Sequence, residues 1–125
     1  MSQKAAEEAW TGAQDCVEMM RTAFEKRRDL IVSLIREVPG LEVNKPVGAF
    51  YIFPECSSYF GKHYGEQTIE TSTDLAIFLL EVGHVATVAG DAFGAPEYIR
   101  LSYATSEENI IEGVERIKRV LGLLV

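Results

Sequence analysis

The residue best suited to chemistry is an arginine in the middle of a predicted strand. Arg100 lies within residues 97–103, between apolar and aromatic neighbours. A guanidinium group presents a rigid fork of donors that matches a carboxylate, and a strand would hold that fork in place for a substrate. Strand alternation offers a second interpretation, in which Arg100 lies on the solvent face of a half-buried strand. On spacing alone we favour the second interpretation, so the residue types do not by themselves indicate a reaction.

A glycine-containing loop precedes this strand. Gly90 and Gly94 lie within residues 88–96, and glycine allows a sharp turn or a close approach of the backbone to a ligand. Gly48, at the start of another predicted strand, has the same freedom. A plain connection between two strands explains the loop without any ligand, and from the residues alone we prefer that explanation.

Other familiar kinds of site are missing. His63 and His84 have no second ligand at helical or hairpin spacing, so no metal site is predicted. His84 follows a predicted helix end at Gly83, where an imidazole can interact with the helix dipole. No segment resembles a nucleophile elbow. We therefore predict no catalytic residue, no cofactor-binding residue and no metal ligand.

Length and charge limit the partners. The 125 residues, 47% hydrophobic and 25% charged, are typical of one soluble globular domain with a modest core. The net charge of -7 makes nucleic acid and anionic membranes poor candidates, because both require a positive surface. Two cysteines are too few for a disulfide framework and indicate ordinary packing in a reducing compartment. No apolar run approaches the roughly 20 residues of a membrane span, so we expect a cytoplasmic protein.

Apolar periodicity predicts helices at both ends of the chain and one between them. The predicted helices cover residues 3–10, 12–37, 72–82 and a last segment that follows residues 105–108. Capping boxes are predicted at Thr11 with Gln14 and at residues 105–108, and residues 72–74 form an N-cap cluster. An apolar stripe runs along one face of these first two helices, from Trp10 to Val38.

Strand signals lie between these helices. The predicted extended segments are residues 41–43, 48–53, 84–89 and 98–104, whereas residues 55–71 are predicted as a loop with a helical turn. In the last strand Ile99, Leu101 and Tyr103 share one face. The order of elements predicts an α+β, two-layer domain with a small, mostly antiparallel sheet of three to four strands and helices packed on one face.

The first predicted helix lacks a start signal. Residues 3–10 are amphipathic from their first turn, and natural domains rarely begin in the middle of a helix. The pattern indicates a domain that belongs to a longer protein. A frayed N-terminal arm is the alternative.

Three segments together resemble the C-terminal part of class I/II aminotransferases, which are pyridoxal-phosphate enzymes of fold type I. The segments are residues 24–31, 46–54 and 85–106. Their order and spacing also match, and bacterial aspartate aminotransferases are the subgroup that the chain resembles most. The resemblance implies that residues 1–125 form the C-terminal small domain of such an enzyme, with residues 1–10 as the tail of the inter-domain helix.

The resemblance assigns a role to Arg100. In the family, the arginine of the Arg-Leu-Ser-Tyr-Ala run binds the α-carboxylate of the substrate, and Arg100 occupies that position. This implication reverses the preference drawn from spacing. Phe93 is expected to line the wall of the same pocket, and the small domain is expected to close over the site when substrate binds.

The same resemblance places the reactive centre outside this chain. In the family, the large domain supplies the Schiff-base lysine and the other groups that hold the cofactor, and no segment here matches them. Pyridoxal phosphate is therefore expected in the intact protein, none is expected on this chain, and the chain alone is expected to be inactive. The implied partners are the large domain, an amino-acid or 2-oxo-acid substrate with aspartate as the best guess, and a second subunit of a homodimer.

One alternative function remains. A freestanding α+β regulatory or interaction module could bind a small carboxylate ligand with the same arginine. Such a module has no reason to hold Pro-x-Gly-Ala-Phe-Tyr and Arg-Leu-Ser-Tyr at these distances. If the aminotransferase interpretation holds, the chain should expose an apolar patch where the large domain belongs.

Overall fold

The computed structural model describes residues 1–125, which form four α-helices and two small antiparallel sheets. The helices are α1 (Ser2–Thr11), α2 (Asp15–Arg36), α3 (Ser72–Glu81) and α4 (Glu107–Leu121). The strands are β1 (Tyr51–Ile52), β2 (His63–Tyr64), β3 (Gln67–Thr68), β4 (Val88–Ala89) and β5 (Ile99–Ser102). This mixture of helices and small antiparallel sheets confirms the predicted α+β class.

The main sheet has three strands in the order β1-β5-β4, and both pairings are antiparallel. Its central strand, β5, shows the predicted alternation. Ile99, Leu101 and Tyr103 are 0%, 5% and 1% exposed, so they face the core, whereas Arg100 and Ser102 face the other way. The second sheet is the hairpin formed by β2 and β3.

The core lies between this sheet and the helices, with α2 packed against α4. Each of α2, α3 and α4 buries a stripe of aliphatic and aromatic side chains, and burial of such a side chain stabilises the fold by about 1.5–3 kcal/mol. The principal buried residues are Ile31, Val32, Ile35, Leu75, Phe78, Leu79, Ile110, Val114 and Ile117. The apolar stripe of the first two helices is fully buried only toward its end, where the buried residues of α2 are Ile31, Val32 and Ile35.

The break between α1 and α2 lies where it was predicted, but the capping box there is wrong. The Thr11 hydroxyl donates to the Glu7 carbonyl oxygen, and the Gln14 amide donates to the carbonyl oxygens of Ala9 and Gly12. Both side chains therefore donate to backbone carbonyl oxygens near the end of α1, and neither caps the free N–H groups at the start of α2.

The starts of α3 and α4 differ slightly from the prediction. Thr71, one residue before the predicted cluster, caps α3: its hydroxyl accepts from the Asp74 N–H, and the Asp74 carboxylate accepts from the Thr71 N–H. The Thr71 hydroxyl also donates to the Asp74 carboxylate, and this bond, helped by those from the backbone N–H groups of Thr71 and Glu70, lowers the pKa of Asp74. Ser106 caps α4 by accepting from the Asn109 N–H. The capping box predicted over residues 105–108 is therefore not formed, and the Asn109 amide donates to the Thr105 hydroxyl.

Two predicted strands are shorter in the structure. The first is a regular strand only at Tyr51 and Ile52, and Ala49, with a φ of 67°, interrupts the extended backbone before them. The second pairs only at Val88 and Ala89. Residues 55–71 contain the predicted helical turn, as a 3-10 helix at Ser57–Tyr59, together with the β2–β3 hairpin, which was not predicted.

His84 has an unusual backbone conformation for a residue other than glycine. Its φ is 54°, and it follows α3 where the Val85 N–H donates to the Leu79 carbonyl oxygen. Because the left-handed region is costly for a residue with a Cβ, we expect His84→Gly to raise the free energy of unfolding by about 0.5–1 kcal/mol. Urea titration measures this change.

The matched control for this prediction is His63→Gly. His63 is also exposed, but it lies in β2 and its φ is not positive. Glycine at that position is expected to destabilise the chain, because it adds only freedom to the unfolded state. Equal losses of stability in both variants would contradict the argument from the His84 backbone.

The two cysteines have different surroundings. Cys56 is buried and its thiol donates to the Glu97 carbonyl oxygen at 3.3 Å, whereas Cys16 is exposed on α2. The prediction of ordinary packing is therefore right for Cys56 and wrong for Cys16.

Burial raises the pKa of the Cys56 thiol to about 12, so the reactive thiolate is scarce near neutral pH. We expect a thiol reagent at about pH 8 to modify only Cys16 in the native chain and both cysteines after unfolding. Rapid labelling of native Cys16→Ser would contradict this prediction.

The fold contains neither a membrane-spanning helix nor a metal-binding cluster. No helix combines the length and the apolar character that a membrane crossing requires. No group of three or more His, Cys, Asp or Glu side chains is arranged to hold a metal ion.

Candidate functional site

The register of the main sheet places aromatic residues around Arg100. Val88 of β4 is the partner of Arg100, and Tyr51 of β1 is the partner of Ser102. Paired residues share a face of a sheet, so these side chains lie on the face opposite the core. The pairing of β1 with β5 continues past the strand ends, since Glu55 bridges Tyr98, and this register brings Phe53 opposite Arg100.

The Arg100 guanidinium lies between two aromatic rings. Its central carbon is 4.7 Å from the centre of the Phe93 ring and 5.5 Å from the centre of the Tyr51 ring. Such contacts between a cation and ring faces are attractive. Neither contact uses an N–H donor in a hydrogen bond, so the donors remain available.

Arg100 has no acidic partner. Three of the other six arginines, Arg21, Arg28 and Arg116, are each within ion-pair distance of a glutamate or aspartate on their own helix. The Arg100 side chain is half-buried and also makes no hydrogen bond within the chain. A half-buried guanidinium with free donors is a suitable group to bind an anion, and its planar fork suits a carboxylate in particular.

The aromatic residues continue behind Phe93. The Phe53 ring meets the Phe93 ring edge to face, with 6.0 Å between ring centres, and stacks on the Tyr98 ring at 5.3 Å with an interplanar angle of 15°. We call Phe53, Phe93 and Tyr98 the aromatic stack. Arg100 thus lies on the outer face of β5, as alternation predicted, but that face is aromatic and not simply solvated.

The glycine loop brings Phe93 to Arg100. Residues Gly90–Phe93 form a 3-10 helix that ends at Gly94, where φ is 70°. The neck of the loop is closed, because the Gly90 N–H donates to the Tyr98 carbonyl oxygen and the Ala95 N–H donates to the Gly90 carbonyl oxygen. The structure therefore brings together the two site residues, Arg100 and Phe93, that the sequence resemblance had suggested.

Sequence reasoning missed Tyr51, Phe53 and Tyr98. Their alternation in the two strands was visible, but their meeting depends on how β1 and β5 pair. The candidate site is also open: a cavity of about 490 Å³ lies between α2 and residues 47–50, but its lining does not include Arg100. A closed site at Arg100 would need a second surface placed over it.

Comparison with known proteins decides the family. Residues 1–117 match the family model for aminotransferase class I and II. The chain belongs to this family. Among aminotransferases, one from Aquifex aeolicus named "Probable aspartate/prephenate aminotransferase" is 50% identical over 109 residues, which are 87% of this chain and 26% of that protein.

Solved aminotransferase structures agree with this assignment. The aspartate aminotransferase from Rhizobium meliloti superposes on this chain with a TM-score of 0.93 at 41% identity. The superposed region covers 99% of this chain and 31% of the Rhizobium meliloti chain. The alanine aminotransferase from Pyrococcus furiosus superposes with a TM-score of 0.83 at 28% identity. The superposed region covers 94% of this chain and 28% of the Pyrococcus furiosus chain. The chain thus spans 26% to 31% of the length of these relatives, so it corresponds to one part of an aminotransferase.

The family implies pyridoxal phosphate, and the lysines test whether this chain could hold it. An aminotransferase needs a lysine that reaches the cofactor from an enclosed site. The lysines here are engaged or exposed elsewhere: Lys4 and Lys45 in ion pairs with Glu7 and Asp29, Lys62 over the Tyr59 ring, and Lys26 and Lys118 on open helix faces. None lines a larger cavity. The residues of this chain therefore do not fit the cofactor by themselves.

Proposed function

We propose that residues 1–125 are the C-terminal small domain of an aspartate-type aminotransferase, with residues 1–10 as the tail of its inter-domain helix. The intact enzyme transfers an amino group from an amino acid to a 2-oxo acid. Pyridoxal phosphate, bound by the rest of the enzyme, supplies the electron sink for that transfer. The observation that carries the proposal is the Arg100 guanidinium, held between two rings and free of any acidic partner.

The chemistry of the substrates explains the need for such an arginine. Amino acids and 2-oxo acids both carry a carboxylate next to the reacting carbon. Two parallel hydrogen bonds from Arg100 would fix this carboxylate and thereby orient the bond that must break. Phe93, whose ring lies under the guanidinium, forms part of the wall that excludes water.

Exposed apolar side chains on α1 and α2 favour a second domain that packs on this chain. Trp10 on α1 is 87% exposed, and Val17, Met19 and Met20 on the first half of α2 are also exposed. Monomeric domains rarely leave such a row of large apolar side chains in water. We expect the large domain to cover these helices and to close over Arg100 when substrate binds.

The relatives support a choice of substrate. The names of the relatives from Aquifex aeolicus and Rhizobium meliloti both include aspartate, and both proteins are more similar to this chain than the alanine aminotransferase is. We therefore assign aspartate as the preferred amino donor. We also expect a cytoplasmic homodimer.

An antibody raised against this chain tests the proposal in the source cell. The native protein that it isolates should be several times heavier than 13.9 kDa, should contain pyridoxal phosphate and should transaminate aspartate. A pre-immune antibody is the control. A native species with the mass of this chain and no transaminase activity would contradict the proposal and favour a freestanding carboxylate-binding module.

A further inference from the structure

Strand β5 alone does not fix the position of the Arg100 guanidinium. A strand fixes the backbone and the Cβ atom of Arg100, but the long side chain beyond it keeps several freely rotating bonds. No ion pair or hydrogen bond within the chain restrains the guanidinium. Its restraints are the two ring faces, with Phe93 the nearer at 4.7 Å.

Phe93 cannot provide this restraint alone. It is 51% exposed, at the end of the 3-10 helix that Gly94 terminates. A ring at the tip of a surface loop has few contacts of its own and is expected to move. A fixed ring at this position therefore needs support from a rigid part of the fold.

The other two rings of the aromatic stack, Phe53 and Tyr98, supply that support. Phe53 follows β1, and the backbone around it is paired with β5, since the Ile99 N–H donates to the Pro54 carbonyl oxygen at 3.0 Å. The Phe53 ring presses against Phe93 edge to face, and the Tyr98 ring lies flat on Phe53. Such pairs are attractive beyond the area they bury. The stack thus connects the paired strands to the tip of the loop.

We infer that Phe53 and Tyr98 are positioning residues for the carboxylate-binding guanidinium of Arg100 and that they act through Phe93. The inference rests on the proposed function, since it assigns these rings to the same site. Neither residue touches the substrate in this account. Both determine how well the arginine fork is aligned before substrate arrives.

Leucine substitutions test the inference in the intact enzyme. We expect Phe53→Leu to raise the KM for the amino donor about three- to tenfold, with a smaller change in kcat, because the fork is less well ordered. Tyr98→Leu should have a smaller effect in the same direction. Tyr98→Phe keeps the stacked ring and should restore the KM of the unchanged enzyme.

Tyr64→Leu is the matched control. Tyr64 is a partly exposed aromatic residue of the β2–β3 hairpin that contacts the Phe78 ring at 5.6 Å. Its removal deletes an aromatic pair in the other sheet, which does not include β5. The KM should therefore stay unchanged. If Phe53→Leu and Tyr98→Leu changed only the thermal stability, as Tyr64→Leu is expected to do, the inference would be overturned.

A spectroscopic measurement on this chain gives a result that does not depend on catalysis. Protons of the Arg100 side chain near the Phe93 ring face should resonate upfield in NMR spectra. Phe53→Leu should remove most of that shift, and Tyr64→Leu should not. A persistent upfield shift in Phe53→Leu would overturn the inference.

The failure of this inference and that of the proposed function are distinguishable. An intact protein whose transamination does not depend on Arg100 would contradict the proposed function. An enzyme whose KM depends on Arg100 but not on Phe53 or Tyr98 would contradict the positioning role alone.

Discussion

Replacement of Arg100 by lysine in the intact enzyme is expected to lower kcat/KM for aspartate by about two to three orders of magnitude. Lysine keeps the positive charge but cannot form two parallel hydrogen bonds to a carboxylate. It also loses the planar group that lies against Phe93 and Tyr51. Steady-state kinetics with aspartate and a 2-oxo acid measures the effect, and the thermal stability should change little.

Arg27→Lys provides a close control for this substitution. Arg27 is also half-buried, and its guanidinium also lies over an aromatic ring, 5.6 Å from the centre of Phe24. It lies on α2, away from the outer face of β5, so kcat/KM should stay within about twofold of the unchanged enzyme. Equal effects of Arg27→Lys and Arg100→Lys would show that Arg100 has no special role.

Gly90→Ala is expected to lower the free energy of unfolding of this chain by about 3 kcal/mol. A Cβ atom at this position would lie 1.9 Å from the Ala95 carbonyl oxygen and 2.5 Å from that of Tyr98. Both are backbone atoms, so no side-chain rotation can relieve the clash. The neck of the loop must open, which breaks hydrogen bonds and releases Phe93 from Arg100. Urea titration measures the loss of stability.

Gly113→Ala makes the same chemical change without a clash. Gly113 lies within α4, and a Cβ atom there would meet nothing within 4 Å. Alanine is a better helix former, so this variant should be about 1 kcal/mol more stable. If Gly90→Ala were as stable as the unchanged chain, the closed neck of the loop would be wrong.

Local patterns in the sequence predicted those features that depend on near neighbours. Alternation in β5 identified Ile99, Leu101 and Tyr103 as the inward face, because the side-chain period of a strand is a local property. The break between α1 and α2 was visible for the same reason. The capping box at Thr11 and Gln14 was wrong because both side chains can serve either helix, and only the actual end of α1 decides between them.

Features that depend on distant pairing were harder to predict. Resemblance to a family suggested Arg100 and Phe93, but Phe53 and Tyr98 join the site only through the pairing of residues near β1 with those near β5. Similarly, the apolar stripe on α2 continues from its buried half into its exposed half. A hydrophobic pattern does not distinguish side chains that fill a domain's own core from those that await another domain.

A crystal structure of the intact enzyme with maleate, a dicarboxylate that has no amino or keto group to react, tests the central claim most directly. We expect one maleate carboxylate to accept two parallel hydrogen bonds from Arg100 at about 2.8 Å, with the guanidinium still over the Phe93 ring. A maleate held entirely by other residues, with the Arg100 guanidinium unchanged between Phe93 and Tyr51, would contradict it.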